Sequence, residues 1–164
     1  MLLRSWIEEE RIQHRVAWVS VEPDEHDAQR FWLSVVEELS ALSRQDLAER
    51  VMVSPDRGGG VAVERLASEL DSLDEPLMLV IDDLHELRSV QAVAWLDLFL
   101  ARLPSQLVVV LATREEPRVG LHRLRVAGEL TELRASDLRF SLEETSALLR
   151  AAGIALSEAG VELL

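Results

Sequence analysis

Hydrophobic and polar positions along this 164-residue chain follow two rhythms. Short apolar, β-favouring runs occupy residues 16–21, 77–81 and 107–112, and between them apolar residues recur three and four apart. An unbroken apolar run of this length predicts a strand covered on both faces, as in a parallel sheet, and the three-four spacing predicts the helices that cover it. The first helix carries Leu2, Leu3, Trp6, Ile7 and Ile12, and the second carries Phe31, Trp32, Val35, Val36, Leu39 and Leu42 behind a capping Asp27. A third holds Val63, Leu66, Leu70 and Leu73, stopped by Pro76, and a fourth holds Val93, Leu96, Leu100 and Leu103, closed by Pro104-Ser105.

Residues 46–60, with Ser54-Pro55-Asp56 and Gly58-Gly59-Gly60, predict a mobile loop. Further on, Leu121, Leu124 and Val126 predict a short helix that stops at Gly128, and Glu129-Leu130-Thr131-Glu132-Leu133 alternates like a half-exposed edge strand. Ser141-Leu142-Glu143-Glu144 fits a capping box ahead of a helix that Gly153 ends, and another helix is expected from about Ser157. The alternation of elements gives an α/β fold with a parallel sheet.

Composition narrows the possibilities. A hydrophobic content of 48% is enough for one domain with a real core. No apolar run approaches the length of a bilayer span, and the first residues lack the pattern of a secretory signal, so a cytoplasmic protein without a membrane partner is expected. Zero cysteines exclude disulfides and thiolate metal sites. A formal charge of −13 disfavours direct binding to nucleic acid, which requires clustered cations. All 17 basic residues are arginine.

The chemistry concentrates where the second apolar run ends, at Asp82 and Asp83. Ligands of open α/β sheets bind outside the carboxyl ends of the strands, and two carboxylates there suit a magnesium-bound phosphate. An apolar strand ending in Asp-Asp also occurs in phosphorelay receiver domains and in helix caps. The receiver pattern fails here, because a long α/β stretch precedes the pair, the next strand ends in Thr113-Arg114 and lysine is absent. His14, His26, His85 and His122 show no metal-ligand spacing and predict surface or capping roles. Arg118, Arg123, Arg125, Arg134 and Arg139 form a locally basic stretch, read as a solvated face rather than a phosphate site.

Five ordered segments carry a family resemblance: Val16-Ala17-Trp18-Val19-Ser20-Val21-Glu22-Pro23-Asp24, Asp27-Ala28-Gln29-Arg30-Phe31-Trp32, Leu79-Val80-Ile81-Asp82-Asp83-Leu84-His85, Leu111-Ala112-Thr113-Arg114, and the stretch 133–144. Together they resemble the ATPase module of the large MalT-like regulators of the LuxR type, members of the STAND class of signal-transducing NTPases. The resemblance implies a three-layer P-loop NTPase-like fold over residues 1–140 and the start of a helical domain at 141–164. It implies that Asp82 is the Walker B magnesium ligand, Asp83 the catalytic acid, and Thr113 with Arg114 the sensor of the terminal phosphate. The cofactors implied are ATP and magnesium, and the partners are the following helical and DNA-binding domains of the same polypeptide, with homo-oligomers an option.

The family's glycine-rich loop, G-x-x-x-x-G-K-[ST], has no counterpart in this sequence. Gly58-Gly59-Gly60 lacks the lysine and hydroxyl and is a poor substitute. The chain is expected to begin just after that loop, lacking the first strand of the fold, and on its own to be inactive as an ATPase. The gap in the sheet would then be closed by a shifted last strand, left open, or filled by another copy. A nucleotide-dependent switch and a nucleotide-independent scaffold of the same fold both stay open.

Overall fold

The structure, a computed structural model, describes residues 2–43, 47–52, 59–73 and 75–154. It divides into two compact units, Met1–Gly120 and Leu121–Leu164.

The first unit is an α/β structure around a three-stranded sheet in the order β1 (Val16–Ser20), β2 (Leu77–Asp82), β3 (Leu107–Leu111). Both pairings are parallel, with Ala17 opposite Leu79 and Leu79 opposite Val109. Such an arrangement is compatible with a P-loop-like fold. The central strand bears out the expectation from its unbroken apolar run: Leu79, Val80 and Ile81 are all fully buried. Pro76 and Pro104 stand just before β2 and β3, where a proline costs no ladder hydrogen bond.

The expected helices form: α1 (Leu2–Glu9), α2 (Ala28–Ser43), α4 (Gly59–Asp71) and α5 (Val90–Leu100). Ile7 anchors α1, and Arg4 of that helix lies 4.3 Å over the ring of Trp18 on β1. α2 packs on β1 and on α5 through its apolar stripe, where Trp32 meets Phe31 and Phe99 in edge-to-face contacts, each with centroids 5.6 Å apart. Among the described residues, no helix is long and apolar enough to cross a membrane.

Two expectations are corrected. Part of the stretch read as a loop is helical: Leu47–Met52 forms α3, and Gly59 and Gly60 open α4. The reason lies in Leu47 and Val51, one helical turn apart and both buried, which give a short segment enough apolar contact between α2 and α4 to hold a helix. The remainder of that loop, residues 53–58 with Gly58, lies outside the described residues, as does the helix expected from Ser157.

The second correction concerns residues 129–133, which form no strand. The second unit contains α6 (Leu121–Ala127), ended by Gly128 at φ 72°, and α7 (Leu142–Ala151), followed by Gly153 at φ 74°. Both glycines occupy the left-handed conformation that closes helices, as their positions predict. Between them, four of the five residues 129–133 are exposed, and Glu132 is held by Arg125 at 2.5 Å and Arg134 at 2.9 Å. Alternation without a face to bury does not make a strand. The capping box is present in full: Ser141 Oγ accepts from the Glu144 amide, and the Glu144 carboxylate accepts from the Ser141 amide at 2.8 Å.

Candidate functional site

β2 delivers Asp82 to the carboxyl end of the sheet, next to Ser20 of β1. The Asp82 carbonyl accepts from the Val21 amide at 3.0 Å, so the strand pairing continues past this residue. Its carboxylate turns back and accepts the Asp83 amide at 3.0 Å. Asp83 then leaves the sheet in the left-handed region, at φ 54° and ψ 37°. Few residue types tolerate that conformation, and aspartate is among them.

A single 3-10 turn over Leu84–Glu86 follows. Two bonds fix its position: the Leu84 amide donates to the Ala112 carbonyl at 3.0 Å, and the Glu86 amide donates to the Asp83 carbonyl at 2.8 Å. The Asp83 side chain stays 47% exposed. His85, by contrast, is largely buried between two carboxylates, with Nδ1 3.9 Å from Asp83 Oδ1 and Nε2 3.5 Å from Glu86 Oε1. Its Nδ1 has no hydrogen-bond partner. Sequence reading placed His85 among surface or capping residues, and its burial is a departure from that.

Thr113 follows the end of β3 closely, and the bond from the Ala112 amide to the Ile81 carbonyl ties that end to β2. Asp82, Asp83 and Thr113 therefore gather at one edge of the sheet. The Thr113 hydroxyl is engaged in its own turn, donating to the Glu115 carbonyl at 2.9 Å and accepting from the Glu115 amide. Arg114 is exposed. The loop that follows is tethered to α5, where the Asp97 carboxylate accepts the Gly120 amide at 2.7 Å.

A groove of about 300 Å³ opens beside this edge, between the 84–90 segment and the 113–119 loop. Its lining includes Leu84, Val93 and Pro117 together with His85 and Thr113, and it does not reach Asp82 or Asp83. The half-exposed Asp83 carboxylate thus lies outside this groove. Among the described residues, no three histidine or carboxylate side chains converge as a metal cage. The hard oxygens of Asp82 suit magnesium, which characteristically takes one or two carboxylates and completes its shell with water and phosphate.

Of the arginines read as a solvated face, Arg125 and Arg134 share Glu132, whose carboxyl is held below its ordinary range chiefly by the Arg125 hydrogen bond. His14, His26 and His122 are exposed, as expected. Glu25 is a residue that the sequence did not single out, and it is buried. A glutamate in a polar loop carries no sequence signal for burial.

No protein-family model matches the chain. It is distantly similar to the serine/threonine-protein kinase PknK of Mycobacterium tuberculosis, 28% identical over 169 residues that take in 99% of the chain. It is also similar to the HTH-type transcriptional regulator MalT of Vibrio parahaemolyticus, 27% identical over 137 residues, and of Yersinia pestis, 27% over 135 residues, each alignment taking in 80% of the chain. The chain spans about 15% of the length of each of these relatives. It is thus distantly related to one region of much longer proteins, among them MalT-type transcriptional regulators.

Proposed function

We propose that this chain is part of the ATP-binding switch domain of a MalT-like transcriptional regulator acting in the cytoplasm. The observation that carries the reading is the common sheet edge: Asp82 and Asp83 end the central strand, and Thr113 and Arg114 follow the end of its neighbour. The similarity to MalT regulators supports the same reading.

In this reading Asp82 holds magnesium, which would neutralise phosphate charge when bound. Asp83, half exposed and projecting beyond the strand, accepts a hydrogen bond from the attacking water and orients it. Its left-handed backbone turns the chain out of the strand at this residue. Thr113 and Arg114 present a hydroxyl and a cation beside the terminal phosphate. A phosphate loop supplied by sequence preceding this chain would provide the amides and lysine for the remaining phosphates. The isolated chain does not hydrolyse ATP in this reading.

A second reading, a nucleotide-independent scaffold of the same fold, draws on the Thr113 hydroxyl, which is already satisfied by Glu115. Calorimetric titration of ATP with magnesium, into this chain and into a form extended upstream, separates the two. Binding only after extension supports the switch. Absence of binding in both, with no phosphate loop in the extension, supports the scaffold and overturns the switch.

A further inference from the structure

We propose that Glu25 is a positioning residue for the turn that carries Asp83, coupling the start of α2 to the acidic end of β2. The part of this inference that concerns hydrolysis rests on the reading of Asp83 given above. The coupling itself does not.

Two polar residues stand out as buried among the described residues, Glu25 at 9% exposure and Ser89 at 8%. They meet: the Ser89 amide donates to the Glu25 carbonyl at 3.1 Å. The same carbonyl accepts the Arg88 amide at 2.8 Å, and the Glu25 amide donates to the Glu86 carbonyl at 3.1 Å. Glu25 and Leu87 thereby form a single parallel bridge outside the sheet. Asp24 reinforces it, its amide donating to Glu86 Oε2 at 3.3 Å and its carboxylate lying 3.7 Å from Arg88 Nε. Glu86 in turn bonds to the Asp83 carbonyl. A continuous chain of hydrogen bonds thus runs from Glu25 to Asp83.

The Glu25 side chain faces the other way. Oε1 accepts the Asp27 amide at 2.9 Å, and Oε2 lies 3.9 Å from Arg30 Nε. This carboxylate is not needed to cap α2, because Asp27 does so, accepting from the Gln29 and Arg30 amides at 2.8 and 3.1 Å. A buried carboxylate is costly unless its partners require it. Here it fixes the 24–27 backbone so that the amide and carbonyl of Glu25 face the turn over Leu84–Glu86 and the cap of α5. A displacement of the α2 terminus is passed to the Asp83 turn through this latch.

Amide hydrogen exchange on the chain tests the coupling. Glu25→Ala is expected to speed exchange at Glu25, Arg88 and Ser89 at least tenfold relative to Val80 and Val110 in the sheet, while Glu25→Gln, which keeps the Oε1 acceptor, stays close to the parent chain. Unchanged exchange at Arg88 and Ser89, or an acceleration spread evenly over the sheet, overturns the proposal. Should Glu25→Ala not fold, Asp27→Ala decides: it removes the cap of α2 while keeping the amide that Glu25 Oε1 accepts, and the latch requires Arg88 and Ser89 to lose protection. Unaltered protection there overturns the coupling. In the form extended upstream, Glu25→Ala is expected to lower kcat at least tenfold with KM for ATP within twofold, and Glu25→Gln to restore turnover. A fall in affinity equal to the fall in kcat overturns the positioning role. If Asp83→Asn leaves turnover intact, the Asp83 reading fails instead, and the exchange data still decide the latch.

Discussion

The carboxylate of Asp82 accepts the amide of Asp83 at 3.0 Å, and the residue so held stands in the left-handed backbone region. One acid therefore fixes the direction in which the next one leaves the sheet. A left-handed conformation costs a non-glycine residue roughly 1–2 kcal/mol, less for aspartate and asparagine. Replacing Asp83 with glycine is expected to raise thermal stability by roughly 0.5–1 kcal/mol, while a β-branched valine lowers it. Thermal denaturation of both variants checks the sign.

Asp83→Asn keeps the shape and tolerates the same backbone. In a form extended to include a phosphate loop, it is expected to abolish hydrolysis and to leave ATP binding intact. Turnover and calorimetric affinity measured side by side provide the check, and unchanged turnover removes Asp83 from the role of acid.

Ser89 is a buried cap whose hydroxyl accepts the Ala92 amide at 3.2 Å at the start of α5. Ser89→Ala leaves that amide without a partner. The expected loss is about 1 kcal/mol in chemical denaturation.

Phe99 is fully buried and meets Trp32 edge to face, joining α5 to α2. Phe99→Ala removes a large side chain from a packed core and is expected to cost about 3–5 kcal/mol. Phe99→Leu is expected to cost markedly less, since more of the volume is kept; urea unfolding of both variants provides the comparison.

In the second unit, the Ser141 amide and hydroxyl hold the Glu144 carboxyl below its ordinary value. A depressed folded value means that this carboxylate favours the folded form above the ordinary glutamate range, and that the contribution disappears as pH falls through the folded value. Acidification is therefore expected to reduce α7 helicity below the ordinary glutamate range, followed by amide shifts across Leu142–Ala151. Glu144→Gln should flatten that dependence while retaining an acceptor.

Much of this architecture is legible in the sequence because the signals are local. Residues 77–81 are apolar throughout and follow a proline, so the burial of most of that strand is legible from composition alone, whereas the equally apolar 107–111 buries only Leu107 and leaves Val108 54% exposed. Gly128, Gly153 and the Ser141 capping box mark helix ends by their own chemistry. The failures are cases where distant packing decides. Leu47 and Val51 form a helix because α2 and α4 lie on either side, which a polar, glycine-rich neighbourhood conceals. Residues 129–133 alternate like a strand but bury no face. The acids at 82 and 83 could be singled out by position, whereas Glu25 acquires its meaning only from a turn some sixty residues away.

The parallel register has a consequence for how the chain is made. Val16 pairs with Met78, and no two neighbouring strands of this sheet can close as a hairpin. At a synthesis rate of about 5–20 residues per second, β1 leaves the ribosome roughly 3–12 s before its partner exists. Throughout that interval Trp18 and Val19 have no sheet to enter, and α2, which packs on β1, is the element available to cover them. Because α2 emerges well before the central strand, it is the first cover that β1 can find during synthesis.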